Sequence, residues 1–281
     1  MRILITGAAG MLGRDVRLAS DAAGHDTVAL TRAQLDIADP GAVDAAVAAA
    51  APDVVVNCAA RTDVDGAESH LADATAVNGA GAGHVAAAAH ALGAWVVQVS
   101  TDYVFSGDKA TPYVESDATG PIGAYARSKL EGEHRVAGAA PDRHTIVRSS
   151  WLFGAHGTCF PKTMLRLASE RSELNVVADQ IGCPTFTGHL AGALVAVAED
   201  PTPGVLHVAA GGWCSWHEFA AATMTAAGRD CVVHPITTDQ YPLPARRPAY
   251  SVLRSERGAP ELANWRDGLA AFMSELSQVA A

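Results

Sequence analysis

A chain of 281 residues with 49% hydrophobic and 18% charged content can bury a large core as one or two domains. Its net charge of −10, with no clustered Lys and Arg, excludes a binder of phosphate backbones, so nucleic acid is not an expected partner. Five scattered cysteines without a CxxC pair, eleven histidines without HExxH spacing, and no long apolar run exclude a disulfide framework, a structural zinc site, a catalytic metal and a membrane span, and point to a cytoplasmic protein.

The first element is a short buried strand, Arg2 to Thr6, followed by Gly7-Ala8-Ala9-Gly10-Met11-Leu12-Gly13 and a helical pattern through Ala23. Gly7, Gly10 and Gly13 permit a tight strand-to-helix turn and close backbone approach to a pyrophosphate. Met11 and Leu12 stand on the helix's first turn, where free N–H groups face the phosphates. The second strand, Thr27 to Leu30, ends in Thr31-Arg32, where an NAD-preferring site places an acid on the ribose 2′-hydroxyl. Arg32 can instead pair a 2′-phosphate, which favours NADPH, with NADH as the alternative. Asp39-Pro40 reads as an N-cap and first helical position of an Ala-rich helix to about Ala51. Asp53 to Asn57 is a β-branched run without alternation, as expected of a parallel strand covered on both faces. Small Ala59 and Ala60 after it leave room for the cofactor across the strand ends. The segment Arg61 to Glu68 leads into one long helix that contains Asn78.

The next strand, Ala94 to Val99, delivers Ser100-Thr101-Asp102-Tyr103 to the carboxyl edge of the sheet, where ligands of doubly wound folds bind. A helix then carries Tyr125 and Lys129. Four residues apart, they share a face, so the ammonium can favour the phenolate and make Tyr125 a usable proton donor. Thr101 can donate a hydrogen bond to a substrate carbonyl. His144 to Arg148 closes the dinucleotide unit, and from there the chain alternates between sheet and lobe. The expected division is a dinucleotide domain over 1–148, with returning segments at about 182–208 and 246–257, and a lobe over 149–181, 209–245 and 258–281. Trp151 offers a flat face for a sugar or base and, equally, for the core. Gly188 to Glu199 reads as a helix, Ser215 with Glu218 as a capping box, and Pro235 to Pro248 as loop, in which Arg246 and Arg247 are candidates to grip a diphosphate.

These motifs resemble those of the dTDP-4-dehydrorhamnose reductase family, within the extended short-chain dehydrogenase/reductases. The resemblance is carried by the GxxGxxG opening, Asn57 to Glu68, Ser100 to Phe105, Tyr125/Lys129 with Leu130 to Glu133, Arg148 to Gly154, Lys162 to Ala168, Asp179 to Thr185 and Arg247 to Leu253. It implies an α/β fold, a Rossmann-like doubly wound parallel sheet with a smaller discontinuous α+β substrate lobe, and NAD(P)H-dependent reduction of a 4-keto group on a dTDP-linked deoxysugar. Tyr125 is then the acid, Lys129 holds the nicotinamide ribose and lowers the tyrosine's pKa, and Thr101 polarises the oxygen. Asp36 and Ile37 match a pair that contacts adenine, Ala59, Ala60, Thr62 and Ser100 line the cofactor, and Val64, Asp102, Tyr103, Trp151 and Arg247 meet the substrate. The related 4,6-dehydratases place Asp-Glu after the threonine. Here Asp102-Tyr103 stands instead, which favours reduction over elimination.

The sequence departs from the family at Cys159 and Tyr250, where asparagines are usual, and at Ala126, where glycine is usual. Loss of two amides in the substrate lobe leaves open a reductase for another dTDP-deoxysugar of antibiotic glycosylation. A non-catalytic NADP-binding regulatory subunit on the same fold is a third reading. Some relatives dimerise through magnesium held by clustered glutamates near the chain ends. Only Asp15 suggests this, and both a monomer and a homodimer fit.

Overall fold

A computed structural model describes residues 1–279. The chain runs β1 (Arg2–Thr6), α1 (Met11–Ala22), β2 (Asp26–Leu30), α2 (Pro40–Ala50), β3 (Val54–Asn57), α3 (Gly66–Ser69), α4 (Leu71–Thr75), α5 (Ala82–Ala91), β4 (Trp95–Thr101), α6 (Ala124–Ala139) and β5 (His144–Ser149). It continues with β6 (Leu152–Phe153), α7 (Phe160–Ala168), β7 (Glu173–Val177), β8 (Ile181–Gly182), β9 (Thr185–Phe186), α8 (Thr187–Glu199) and β10 (Gly204–His207). The last elements are β11 (Ala210–Gly211), β12 (Cys214–Ser215), α9 (Trp216–Ala226), β13 (Val232–Ile236), β14 (Leu262–Asn264) and α10 (Trp265–Val279).

Six strands form one parallel sheet in the order β10-β5-β4-β3-β1-β2. The order reverses between β1 and β3, and there the loops after the two strands diverge and leave a crevice at their carboxyl ends. The all-buried VVVN of β3 and the buried Ile3–Ile5 of β1 reflect helices on both faces. One core packs Ile3, Ile5, Val54, Val56 and Val97 against Val16 of α1 and Leu190 and Leu194 of α8. The other packs Leu4, Val55 and Val96 against Val43, Val85 and Val136 of α2, α5 and α6. The smaller lobe holds a separate aromatic core of Phe153, Phe186, Phe219, Trp265 and Phe272. Among the described residues no helix is long and apolar enough to cross a membrane.

Several local signals act as expected. Asp39 accepts from Gly41 N (2.9 Å) and Ala42 N (3.1 Å) at the start of α2, and Ser215 and Glu218 form a capping box on α9. Two expectations are corrected. The single long helix after Glu68 is instead α3, α4, a π-helical turn at Ala76–Gly81 and α5. The turn seats Asn78, whose amide bonds both Arg61 N (2.8 Å) and Arg61 O (3.0 Å), a polar demand a regular helix would not meet. The proline-rich stretch is not all loop, because Pro235 lies within β13 and pairs with Val176 of β7. A two-stranded ribbon has only edge strands, where a missing N–H is tolerated.

Candidate active site

The glycine turn forms one wall. Gly7 has φ +65°, and a Cβ there would lie 2.7 Å from Ala59 N, so the β1 and β3 loops touch through backbone. A Cβ on Gly13 would fall 2.4 Å from Gly7 O. The α1 N-cap, Gly10, supplies no side-chain cap, leaving the first N–H groups of α1 turned to the crevice. These features fit a dinucleotide pyrophosphate. Met11 borders Gly157, whereas Leu12 is buried in the sheet core and can serve a cofactor only through its backbone. Arg32 and Thr62 are exposed at the mouth, and Arg32 has no ion pair among the described residues. Asp36 is exposed and accepts from Ala38 N, but Ile37 is 2% exposed and packs in the core, so only its backbone can face adenine. Ala59 and Ala60 are half-buried beside Gly7.

The opposite wall carries the reactive groups. Lys129 is 4% exposed and donates to Val99 O at 2.7 Å. Burial pushes its pKa down to about 8, against the opposing charge of Glu133. Glu133 lies one turn on and is salt-bridged to Arg148 at 2.7 Å, with both side chains about 95% buried. Ser100 donates its hydroxyl to Glu133 at 2.5 Å, so its side chain supports this seam and only its backbone is left for a cofactor. The start of α6 is anchored by Ala124 N donating to Glu68 at 2.7 Å, and by Asn78 donating to Ser128 at 2.9 Å.

Tyr125 is half-buried, with its ring edge-on to Tyr103 at 6.3 Å. Burial and the charge of Asp102 push its pKa well above the ordinary tyrosine value, and a hydrogen bond with Thr101 acts the other way. Tyr125 therefore holds its proton across the neutral range and is a donor. Lys129 does not contribute to that shift, so the expected acidification of Tyr125 by Lys129 is not present among the protein's own groups. Thr101 is also placed differently from expectation. Its hydroxyl donates to Asp102 Oδ1 at 3.0 Å and accepts from Tyr103 N at 3.2 Å. Asp102 is 2% exposed, and burial pushes its pKa up to about 6, opposed by hydrogen bonds from Ser251, Ser150 and Thr101.

A cleft of about 1170 Å³ opens beside these groups. Val64, Tyr103 and Arg247 line it, but Thr101, Asp102, Tyr125, Lys129 and Trp151 do not. Of the two roles the sequence left open for Trp151, the structure shows packing. It sits at φ 48°, stacks on Trp216 at 3.5 Å and 3°, and is backed by Gly182, where a Cβ would fall 2.4 Å from the indole. Trp216, rather than Trp151, presents indole to the cleft. Arg247 is also spoken for: its fork bonds both oxygens of Asp65 at 2.8 and 2.7 Å, and this bond holds the Asp65 carboxyl below its usual range. The cleft's other arginines, Arg171 and Arg246, have no ion pair among the described residues. Cys159 is buried in the aromatic core with its thiol donating to Gly154 O, and Tyr250 packs against Leu253. Neither departure from the family pattern lies on the cleft wall.

Sequence reasoning missed Asp65, Glu133, Ser150, Trp216 and Ser251. Glu133 carried a usable signal, its i, i+4 spacing from Lys129. Away from the crevice, Asp15, His156 and Glu275 bring ligand atoms within 4.8 Å of one another, which adds two partners to the Asp15 noted in the sequence.

The RmlD substrate binding domain family model matches residues 1–278. The dTDP-4-dehydrorhamnose reductase of Mycolicibacterium smegmatis is 46% identical over 95% of this chain and 84% of its own. The chain belongs to the dTDP-4-dehydrorhamnose reductase family. The chain is also similar to the dTDP-4-keto-6-deoxy-D-glucose reductase of Streptomyces niveus, 41% identical over 95% of each chain. The crystal structure of dTDP-4-dehydrorhamnose reductase from Bacillus anthracis, in complex with NADP, superposes with a TM-score of 0.94 at 37% identity, covering 98% of this chain and 99% of that one.

Proposed function

We propose that this chain is an NADPH-dependent oxidoreductase that reduces the 4-keto group of a dTDP-linked 4-keto-6-deoxyhexose, with dTDP-4-dehydro-L-rhamnose converted to dTDP-L-rhamnose. The observation that carries the reading is the convergence at the carboxyl end of β4 of Thr101, which hydrogen-bonds Tyr125, and Lys129, which donates to Val99 O, with the Tyr125 ring edge-on to Tyr103 of the cleft wall. NADPH supplies the hydride. As the hydride adds to the sugar's carbonyl carbon, the C=O electron pair moves to oxygen and Tyr125 gives that oxygen its proton. Lys129 holds the nicotinamide ribose, and the first turn of α1 with Arg32 holds the phosphates.

In this reading Val64, Tyr103 and Trp216 bound the substrate cleft, and Arg171 and Arg246 are the cations free to meet its diphosphate. Cys159 packs in the aromatic core and Tyr250 against Leu253, which supports the rhamnose-precursor reading over one drawn from the two missing amides. The Streptomyces niveus relative supports a second reading, reduction of dTDP-4-keto-6-deoxy-D-glucose. NADPH oxidation by the purified chain with each sugar tests both: faster turnover of the rhamnose precursor is expected, and a better rate on the other sugar would replace it. The proposed division into a cofactor body and a lobe is supported by the two sheet cores and the return of α8 and β10 to the sheet, although Phe186, within the returning segment, packs in the aromatic core.

A further inference from the structure

Asp102 is a buried carboxylate with no cation among the groups that shift it. It is held by three hydroxyls brought from three separate segments. Thr101 at the end of β4 donates to Oδ1 at 3.0 Å. Ser150, after β5, and Ser251, in the loop that pairs with Ile181, both donate to Oδ2, at 3.0 and 2.5 Å. Ser150 and Ser251 are each 1% exposed, too deep to touch substrate, and Ser150 is fixed further by Cys183 N at 3.3 Å. A hydroxyl has a single proton to donate. While Asp102 is ionised, the proton of Thr101 is committed to Oδ1, and Thr101 can otherwise only accept, as it does from Tyr103 N. With Asp102 protonated on Oδ1, the direction of that bond reverses, and the proton of Thr101 is free to point at a carbonyl oxygen.

We infer that Ser150 and Ser251 are positioning residues for the reduction: by jointly filling Oδ2 of Asp102 they set the direction of the Thr101–Asp102 hydrogen bond, and so whether one donor or two meet the substrate carbonyl. This rests on the ketoreductase reading above. No proton is consumed in the network, since Tyr125 supplies the one that the alkoxide keeps. The other titratable groups that feel Asp102 are Tyr103, Tyr125 and Cys183, all pushed upward by burial and therefore neutral across the range in question.

The test is the single-turnover rate of hydride transfer from NADPH to the dTDP-4-keto sugar between about pH 5.5 and 8.5, a window that brackets an acid held near 6. In the unaltered chain the rate rises as pH falls through Asp102's range, with KM little changed. Each serine donates to a charged group, so Ser251→Ala and Ser150→Ala are expected to move that limb upward by about one to two pH units. Thr101→Val, which has no proton to redirect, is expected to lose the limb near pH 6 and to keep only the separate fall through about 8 that belongs to Lys129. A limb that stays in place in both serine variants while the rate falls evenly would show a merely structural role and overturn the inference. NADPH binding, measured on the same variants by fluorescence, checks that they are folded. No turnover at any pH by the unaltered chain would instead overturn the ketoreductase reading and this inference with it.

Discussion

Replacing Glu133 with glutamine isolates the charge at the centre of the polar seam beneath the active site. Glu133 and Arg148 are each 4% exposed and joined at 2.7 Å through Nη2, with Nε a second donor at 3.0 Å. Removing one charge of a buried pair leaves the other desolvated and costs about 3–5 kcal/mol. Glutamine keeps one oxygen for Ser100 or Arg148, which places the expected loss at the lower end, about 3 kcal/mol. For a chain of this length that lowers Tm by about 6–12 °C. The same change removes the largest influence that raises Lys129, so its ammonium, now pushed down to about 8, loses its proton at lower pH. Thermal unfolding followed by circular dichroism reads the first effect, and the alkaline limb of the rate profile the second. A Tm within about 2 °C of the unaltered chain, with the limb unmoved, would refute the reasoning that Glu133 both closes the seam and supports Lys129.

With Lys129 proposed to hold the ribose as a cation, turnover and NADPH affinity are expected to fall as pH rises through about 8, and a pH-independent affinity up to pH 9.5 would contradict it. Arg32→Ala is expected to weaken NADPH binding by about tenfold while leaving NADH binding nearly unchanged, the loss of a charged contact to one phosphate, read by titrating each cofactor. Gly182→Ala would drive a methyl into Trp151 and tilt the Trp151–Trp216 stack, and with it the Trp216 wall of the cleft. A rise in KM for the dTDP-sugar larger than any fall in NADPH affinity is expected, and steady-state kinetics with both substrates measures it.

What the sequence disclosed depends on how local each feature is. The strand, glycine turn and helix at Arg2–Ala22 lie within one stretch, and periodicity with glycine spacing defines them. YxxxK is likewise local, because i, i+4 places both side chains on one helix face. The lobe was harder, since β6, β8, β9, β11 and β12 are two-residue strands, too short for any alternation. The site's supports were hidden for a related reason. Arg247 meets Asp65 across 182 positions, and Ser251 meets Asp102 across 149, distances over which no spacing rule operates. Trp151 takes the packed role the sequence left open beside a ligand-stacking one, because its aromatic face meets Trp216, a packing choice invisible before the lobe is assembled.

The central claim is that Tyr125 supplies the proton in a ketone reduction. Tyr125→Phe removes one hydroxyl from a half-buried ring and leaves the glycine turn, Lys129 and the cleft in place. Steady-state NADPH oxidation with the dTDP-4-keto sugar, paired with NADPH titration, tests it directly. The account predicts turnover lower by roughly 10²-fold or more with NADPH affinity preserved, the usual weight of a positioned acid. Turnover within a few-fold of the unaltered chain would contradict it.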